Sequence, residues 1–176
     1  MRFAVLLGLF AALASPASQA LPDKATAWPG SLRNGLPTTL PGYAAAPRDP
    51  LPDSDENEMG TFTEVSRFFQ RIESPTSVKQ FRLVVQDYGL GKDLEKAIRK
   101  AVAEASRMPN VETRELKISG LSAFAVTDRS GGNPTTLVTV IATPARLVLA
   151  QGANVDRDEA MKLLGRVDFQ KIIDAK

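Results

Sequence analysis

The sequence predicts an α+β fold: an antiparallel sheet of about five strands with helices packed on one face, preceded by a disordered leader. Three observations lead there. Residues 92–107 carry one unbroken helical stripe, residues 112–151 carry four short strand patterns, and residues 21–60 hold seven of the chain's twelve prolines. The breaks between the four strand patterns are too short for a parallel return, which needs a dozen or more residues, so these strands pair antiparallel. The chain divides accordingly into a signal peptide (1–20), a Pro-rich acidic linker (21–60) and one domain (61–176).

Met1 and Arg2 give a positive start, and Phe3 to Ala14 is an unbroken run of apolar residues and glycine. Ser18 and Ala20 then supply small residues before a cut after Ala20. This is the three-part layout of a secretory signal peptide. As a helix the run would reach roughly 18 Å, short of the ~30 Å hydrocarbon core, and no later stretch is long and apolar enough to span a bilayer. The expected location is therefore outside the cytoplasm, periplasmic or extracellular.

The linker holds three basic against six acidic residues and ends in Asp53-Ser54-Asp55-Glu56-Asn57-Glu58. Closely spaced prolines oppose helix and central strand alike, and the segment has little apolar material to offset its ordering entropy. Trp28 stands out in it, either as an incidental residue or as a partner-binding anchor.

The domain opens on an expected helix. Thr61 followed by Glu64 fits a capping box, Val65, Phe68, Phe69 and Ile72 recur at helical spacing, and Pro75 ends the run. Val78 to Gln86 reads as a strand with Lys79, Phe81, Leu83 and Val85 on one face. In the helix at 92–107, Leu94, Ala97, Ile98, Ala101, Val102 and Ala105 form the apolar stripe, with Asp93 and Glu95 in the first turn and Pro109 beyond the end. The four strands follow at 112–118, 121–128, 135–143 and 146–151. The third has apolar residues on both faces and belongs inside the sheet. Asp156 with Glu159 caps a last helix, Gly165 fits its C-terminal end, and Val167, Phe169, Ile172 and Ile173 dock the end of the chain.

The run Gly120-Leu121-Ser122-Ala123-Phe124, the run Leu147-Val148-Leu149-Ala150-Gln151-Gly152 and the terminal Val167-Asp168-Phe169 together resemble the PsbP-like fold over about residues 78–173. That fold is shared by an oxygen-evolving-complex subunit, a Ran-binding import factor and small bacterial envelope proteins. The resemblance implies an envelope protein and transfers no functional residue, because the fold serves unrelated roles. Asp168-Phe169 stands where such proteins often have Ser-Phe, and their usual opening by strands differs from the helix expected here.

Chemistry is constrained by what is missing. The chain has no cysteine and no histidine, which removes disulfides, thiol nucleophiles, thiolate zinc sites and the commonest near-neutral base. A net charge of +2 argues against nucleic-acid binding by bulk phosphate neutralisation. Gly89-Leu90-Gly91-Lys92 sits between strand and helix, but Gln86 and Asp93 occupy positions where a phosphate loop needs Gly and Ser or Thr. No cofactor and no metal are expected. Asp87, Asp128, Asp156 and Asp158 are the available carboxylates for a hydrolase, and Ser130 is the available nucleophile for a Ser–Lys pair. A carrier of a small apolar ligand would enclose a cavity lined by residues such as Phe81, Leu94 and Phe124.

The remaining feature is a basic stripe, Lys92, Lys96 and Lys100 with Arg99 beside them, on the polar side of the helix. Its plain reading is a solvated face with Glu95–Arg99 and Lys100–Glu104 as compensating pairs. Its functional reading is a docking surface for an acidic protein partner, an anionic envelope component or the chain's own acidic linker. The expected function is a non-enzymatic binding or assembly module, with the hydrolase and the ligand carrier as alternatives.

Overall fold

A single antiparallel sheet of eight strands dominates the computed structural model, which describes residues 27–57, 59–89 and 93–176. The expected signal peptide lies outside the described residues. The strands are β1 (Ala44–Ala45), β2 (Asp53–Asn57), β3 (Gly60–Ser74), β4 (Ser77–Asp87), β5 (Val111–Ile118), β6 (Leu121–Asp128), β7 (Thr135–Thr143) and β8 (Arg146–Ala153). They run β1-β3-β4-β8-β7-β6-β5 across the sheet, with β2 also paired to β3. The described helices are α1 (Pro29–Arg33), α2 (Leu94–Ala105), α3 (Arg157–Leu164) and α4 (Phe169–Asp174). Among the described residues 47% lie in strands and 21% in helices, so the expectation of an α+β fold with about five strands is corrected to a mostly-β one.

The largest correction is β3, which replaces the helix expected over 61–72. Val65 and Phe69, and separately Phe68 and Ile72, are four apart, an interval that both a helix and a strand place on one side. The neighbouring strand decides the matter. β3 pairs with β4 residue for residue from Thr63↔Asp87 to Ile72↔Val78, and Pro75-Thr76 forms the tip of the hairpin rather than the stop of a helix. Thr, Val, Phe and Ile suit a pleated surface better than a helix, and cross-strand packing adds to that preference.

The later strands fall where the pattern puts them. Ser119 (φ 52°) and Gly120 (φ 82°) join β5 to β6, both in the left-handed region that a two-residue hairpin with the right-handed sheet twist requires. β8 returns between β7 and β4, so the meander β5–β8 is welded to the long β3–β4 hairpin in one sheet.

One face of the sheet is covered over most of its width. Val65, Phe69, Phe81, Leu83, Val85, Ala123, Ala125, Val138, Val140, Val148 and Ala150 point into one buried cluster with Leu163 and Leu164 of α3 and Phe169 and Ile172 of α4. Asp156 and Asp168 cap α3 and α4, accepting from Glu159 N and Lys171 N. Gly165 closes α3 at φ −62°, without the left-handed turn its glycine would allow. The same cluster takes Leu32 of α1 and Leu36, Leu40 and Tyr43 of the segment after it. The expectation of a disordered leader is thus corrected over the described part of 21–60, because buried leucines compensate for the prolines. Residues 53–57, the acidic end of that segment, form an edge strand on β3.

Helix α2 lies on the opposite face, correcting the expectation that all helices share one side. Leu94 and Ile98 pack with Phe62, Tyr88, Phe124 and Leu147, residues that alternate along their strands with those of the first cluster.

Candidate functional site

The polar side of α2 is the first candidate. Its start is fixed by Asp93, whose carboxylate accepts from Lys96 N at 3.0 Å. Lys92 lies outside the described residues. Arg99 is committed: it donates to Glu95 on its own helix (2.7 Å) and to both carboxylate oxygens of Glu115 on β5 (2.7 and 2.8 Å), and its guanidinium lies 5.0 Å from the Phe124 ring centre. The bidentate contact holds the Glu115 carboxyl below its usual range. That depression means the clasp between α2 and β5 is present above the ordinary carboxylate range and is lost as pH falls through the lowered value. Lys100 approaches Glu104 at 3.9 Å, and among the described residues Lys96 makes no ion pair. No ion pair among the described residues joins the stripe to Asp53, Asp55 or Glu56. Changing Lys96 and Lys100 together to Gln should leave the urea midpoint unmoved; a clear shift would mean these two amines hold α2 in place.

The carboxylates weighed for hydrolysis are each engaged elsewhere. Asp87 bonds Arg146 in the interior, Asp156 caps α3, Asp128 accepts from Ser130 N in the β6–β7 turn (2.8 Å), and Asp158 meets Arg157 at the surface. Ser130 sits exposed in that turn. Phe81 belongs to the buried cluster on one face of the sheet, while Leu94 and Phe124 belong to the cluster on the other. The sheet therefore separates the three side chains expected to line one ligand cavity. Trp28 is 72% exposed although its backbone N–H bonds Lys176 O at 3.0 Å, tying the segment to the end of the chain. An open depression of about 810 Å³ beside them is lined by Ser31, Asn34, Asp168, Gln170, Lys171 and Asp174, a solvated rim with no enclosed floor.

A second polar network crosses the α2 face of the sheet. Glu64 accepts from Arg82 and from Gln86 Nε2 (2.9 Å); Gln86 Oε1 accepts from Tyr88 OH (3.0 Å), and Tyr88 OH accepts from Asn57 Nδ2 (2.8 Å). Burial pushes the Tyr88 phenol up to about 12. On the covered face, burial and then the neighbouring Glu159 carboxylate push the Tyr43 phenol up as well. An ordinary phenol titrates near 10, so the folded chain holds these protons longer than the unfolded one. The associated stability is present below about pH 10 and is lost as pH rises through the folded values. These are the chain's two tyrosines. Tyrosinate absorbance should therefore stay flat past pH 10 and then rise together with unfolding. An early rise on a chain that keeps its circular-dichroism signal would mean that the rings are solvated.

Beyond that network, toward the β3–β4 turn, the same face is open. Phe68 is 42% and Ile72 70% exposed. The strand register places them beside Gln70, Val78, Gln80, Arg82, Gln151 and Leu137, all with some exposure. Arg82 is the charged member of this group; it is paired to Glu64 and lies 4.9 Å from the Phe68 ring centre. Sequence reading missed this surface because it placed Phe68 and Ile72 on the buried side of a helix. The available signal was alternation, with Phe68, Gln70 and Ile72 on one side and Phe69 and Arg71 on the other. No family model matches the chain, and no curated protein matches it.

Proposed function

We propose that the chain is an exported, non-catalytic binding or assembly module of the bacterial envelope, and that its contact surface is the open half of the α2 face of the sheet. The observation that carries this reading is the pair of apolar side chains, Phe68 and Ile72, exposed on a sheet face whose one nearby charge is already paired. A solvated sheet face ordinarily shows polar side chains to water, and an exposed apolar patch of this kind marks an interaction site. The engagement of Asp87, Asp128 and Asp156 in structural bonds supports the non-catalytic side of the reading. Export and the likeness to PsbP-like envelope proteins rest on the residues of the leader and of 78–173 described above.

The absence of cysteine from the chain makes the test direct. A single cysteine at Gln70, bearing a photo-crosslinker, should give a discrete adduct in envelope extract, whereas one at Lys96 on the α2 stripe should not. Adducts from Lys96 alone would move the site to the stripe, and none from either position would overturn the reading. Expressed with its own leader, the exported chain should begin at Leu21 by intact mass; a chain recovered whole from the cytoplasm would overturn the location.

A further inference from the structure

We propose that the occupant of the open half-face is a second copy of this chain, packed sheet to sheet about a two-fold axis. This rests on the reading above that the half-face is a contact surface. A two-fold contact sets each patch against itself, so it tolerates no unpaired charge near the axis. The surface meets that condition: Arg82 is neutralised within its own chain by Glu64, and the rest of the patch between β3 and β7 is uncharged, its side chains apolar, amide or hydroxyl. Gln70, Gln80 and Gln151 each both donate and accept, so one amide can pair with its counterpart in another copy. A nucleic acid or an anionic lipid surface would need unpaired cations here, and a charged peptide would need an unpaired opposite charge.

The dimensions agree. Helix α2 covers the other half of this face with a layer about 10 Å thick, the spacing at which two sheets also stack. A partner sheet can therefore lie alongside α2 as a continuation of the same layer. Three rows of side chains across the four strands β3, β4, β8 and β7 give a footprint of roughly 20 by 19 Å, on the order of 400 Å² per copy. Two copies then bury about 800 Å², the size of a weak, transient contact rather than a permanent one. The dimer is accordingly a weak, exchanging one.

Sedimentation equilibrium on the chain, in the form that the expressing cell leaves it, tests this. The weight-average mass should rise from one copy toward two across the concentration range. Phe68→Glu should weaken association more than about tenfold, because it buries like charges across the axis. Ile72→Glu, at a more exposed position where folding is less at risk, should do the same, and Lys96→Glu should not. A chain that stays monomeric at its highest soluble concentration, or a dimer that survives both glutamates, would overturn the inference. If the chain is monomeric while Gln70→Cys crosslinks a different protein, the dimer falls and the binding-module reading stands. If it is monomeric and gives no adduct, both fall.

Discussion

Replacing Asp87 by Ala should cost about 3–5 kcal/mol of unfolding free energy, the range for stranding one member of a buried ion pair. Asp87 and Arg146 are 5% and 7% exposed, and Arg146 Nε meets Asp87 Oδ2 at 3.0 Å. The other carboxylate oxygen accepts from Gly89 N at 3.1 Å. The guanidinium also donates through Nη1 to Ile172 O (2.7 Å) and Ile173 O (3.0 Å), two carbonyls in the last turn of α4. One pair thus fastens the end of β4, the start of β8, the turn toward α2 and the terminal helix. Removal of the carboxylate leaves a charge in the interior with carbonyl oxygens as its remaining partners. Arg146→Met should be comparably costly because it also abandons those carbonyls. Asp87→Asn keeps an acceptor for Gly89 and should lose less than Asp87→Ala. Urea unfolding with an unchanged m-value measures the difference. A loss under about 1 kcal/mol would place the pair in the class of solvated surface bridges.

This pair also shows where sequence reading ends. Asp87 and Arg146 lie far apart in the chain, and nothing local to either announces the other. They meet because β8 inserts beside β4, with Asp87 directly across from Arg146 in the register. Local patterns, by contrast, were legible wherever the strand or helix makes its own case. The stripe of α2, the faces of β4, the turns of the β5–β8 meander and the Asp156 cap all follow from residues within a few positions of one another. β3 failed because its apolar spacing serves helix and strand equally, and only its partner strand resolves the choice. The open half-face failed with it, since exposure of Phe68 and Ile72 depends on which face α2 covers and how much of it. Lys96, Arg99 and Lys100 are exposed on α2, but the engagement of Arg99 with Glu115 required knowing that β5 runs beneath α2.

A chain beginning at Gly60 should fail to unfold cooperatively, because the segment before it belongs to the core. Composition alone argued the opposite, since seven prolines and an acidic end describe a spacer. What composition overlooks is spacing: Leu32, Leu36 and Leu40 recur every four residues, followed by Tyr43, and all four are buried among Phe69, Phe81, Phe169 and Ile172. Proline here restricts the unfolded chain and so lowers the entropy cost of laying the segment down. Burying a large apolar side chain contributes about 1.5–3 kcal/mol, so four contribute on the order of 6–12 kcal/mol. That is comparable to the whole stability of a domain, about 5–15 kcal/mol. The backbone is held too. Gly35 O accepts from Asp168 N at 2.9 Å, and Arg67 donates to Leu36 O at 2.9 Å. Gly35 sits so close to α4 that an added Cβ would lie 2.9 Å from Asp168 O and against the Ile172 side chain. Gly35→Ala should therefore prise the segment from α4 and lower the urea midpoint clearly, while Leu32→Ala should cost about 2–5 kcal/mol. In the shortened chain, loss of β1 and β2 also leaves the outer edge of β3 bare, which invites edge-to-edge aggregation. A sharp urea transition in that chain, at the midpoint of the longer one, would show the segment to be a passive covering after all.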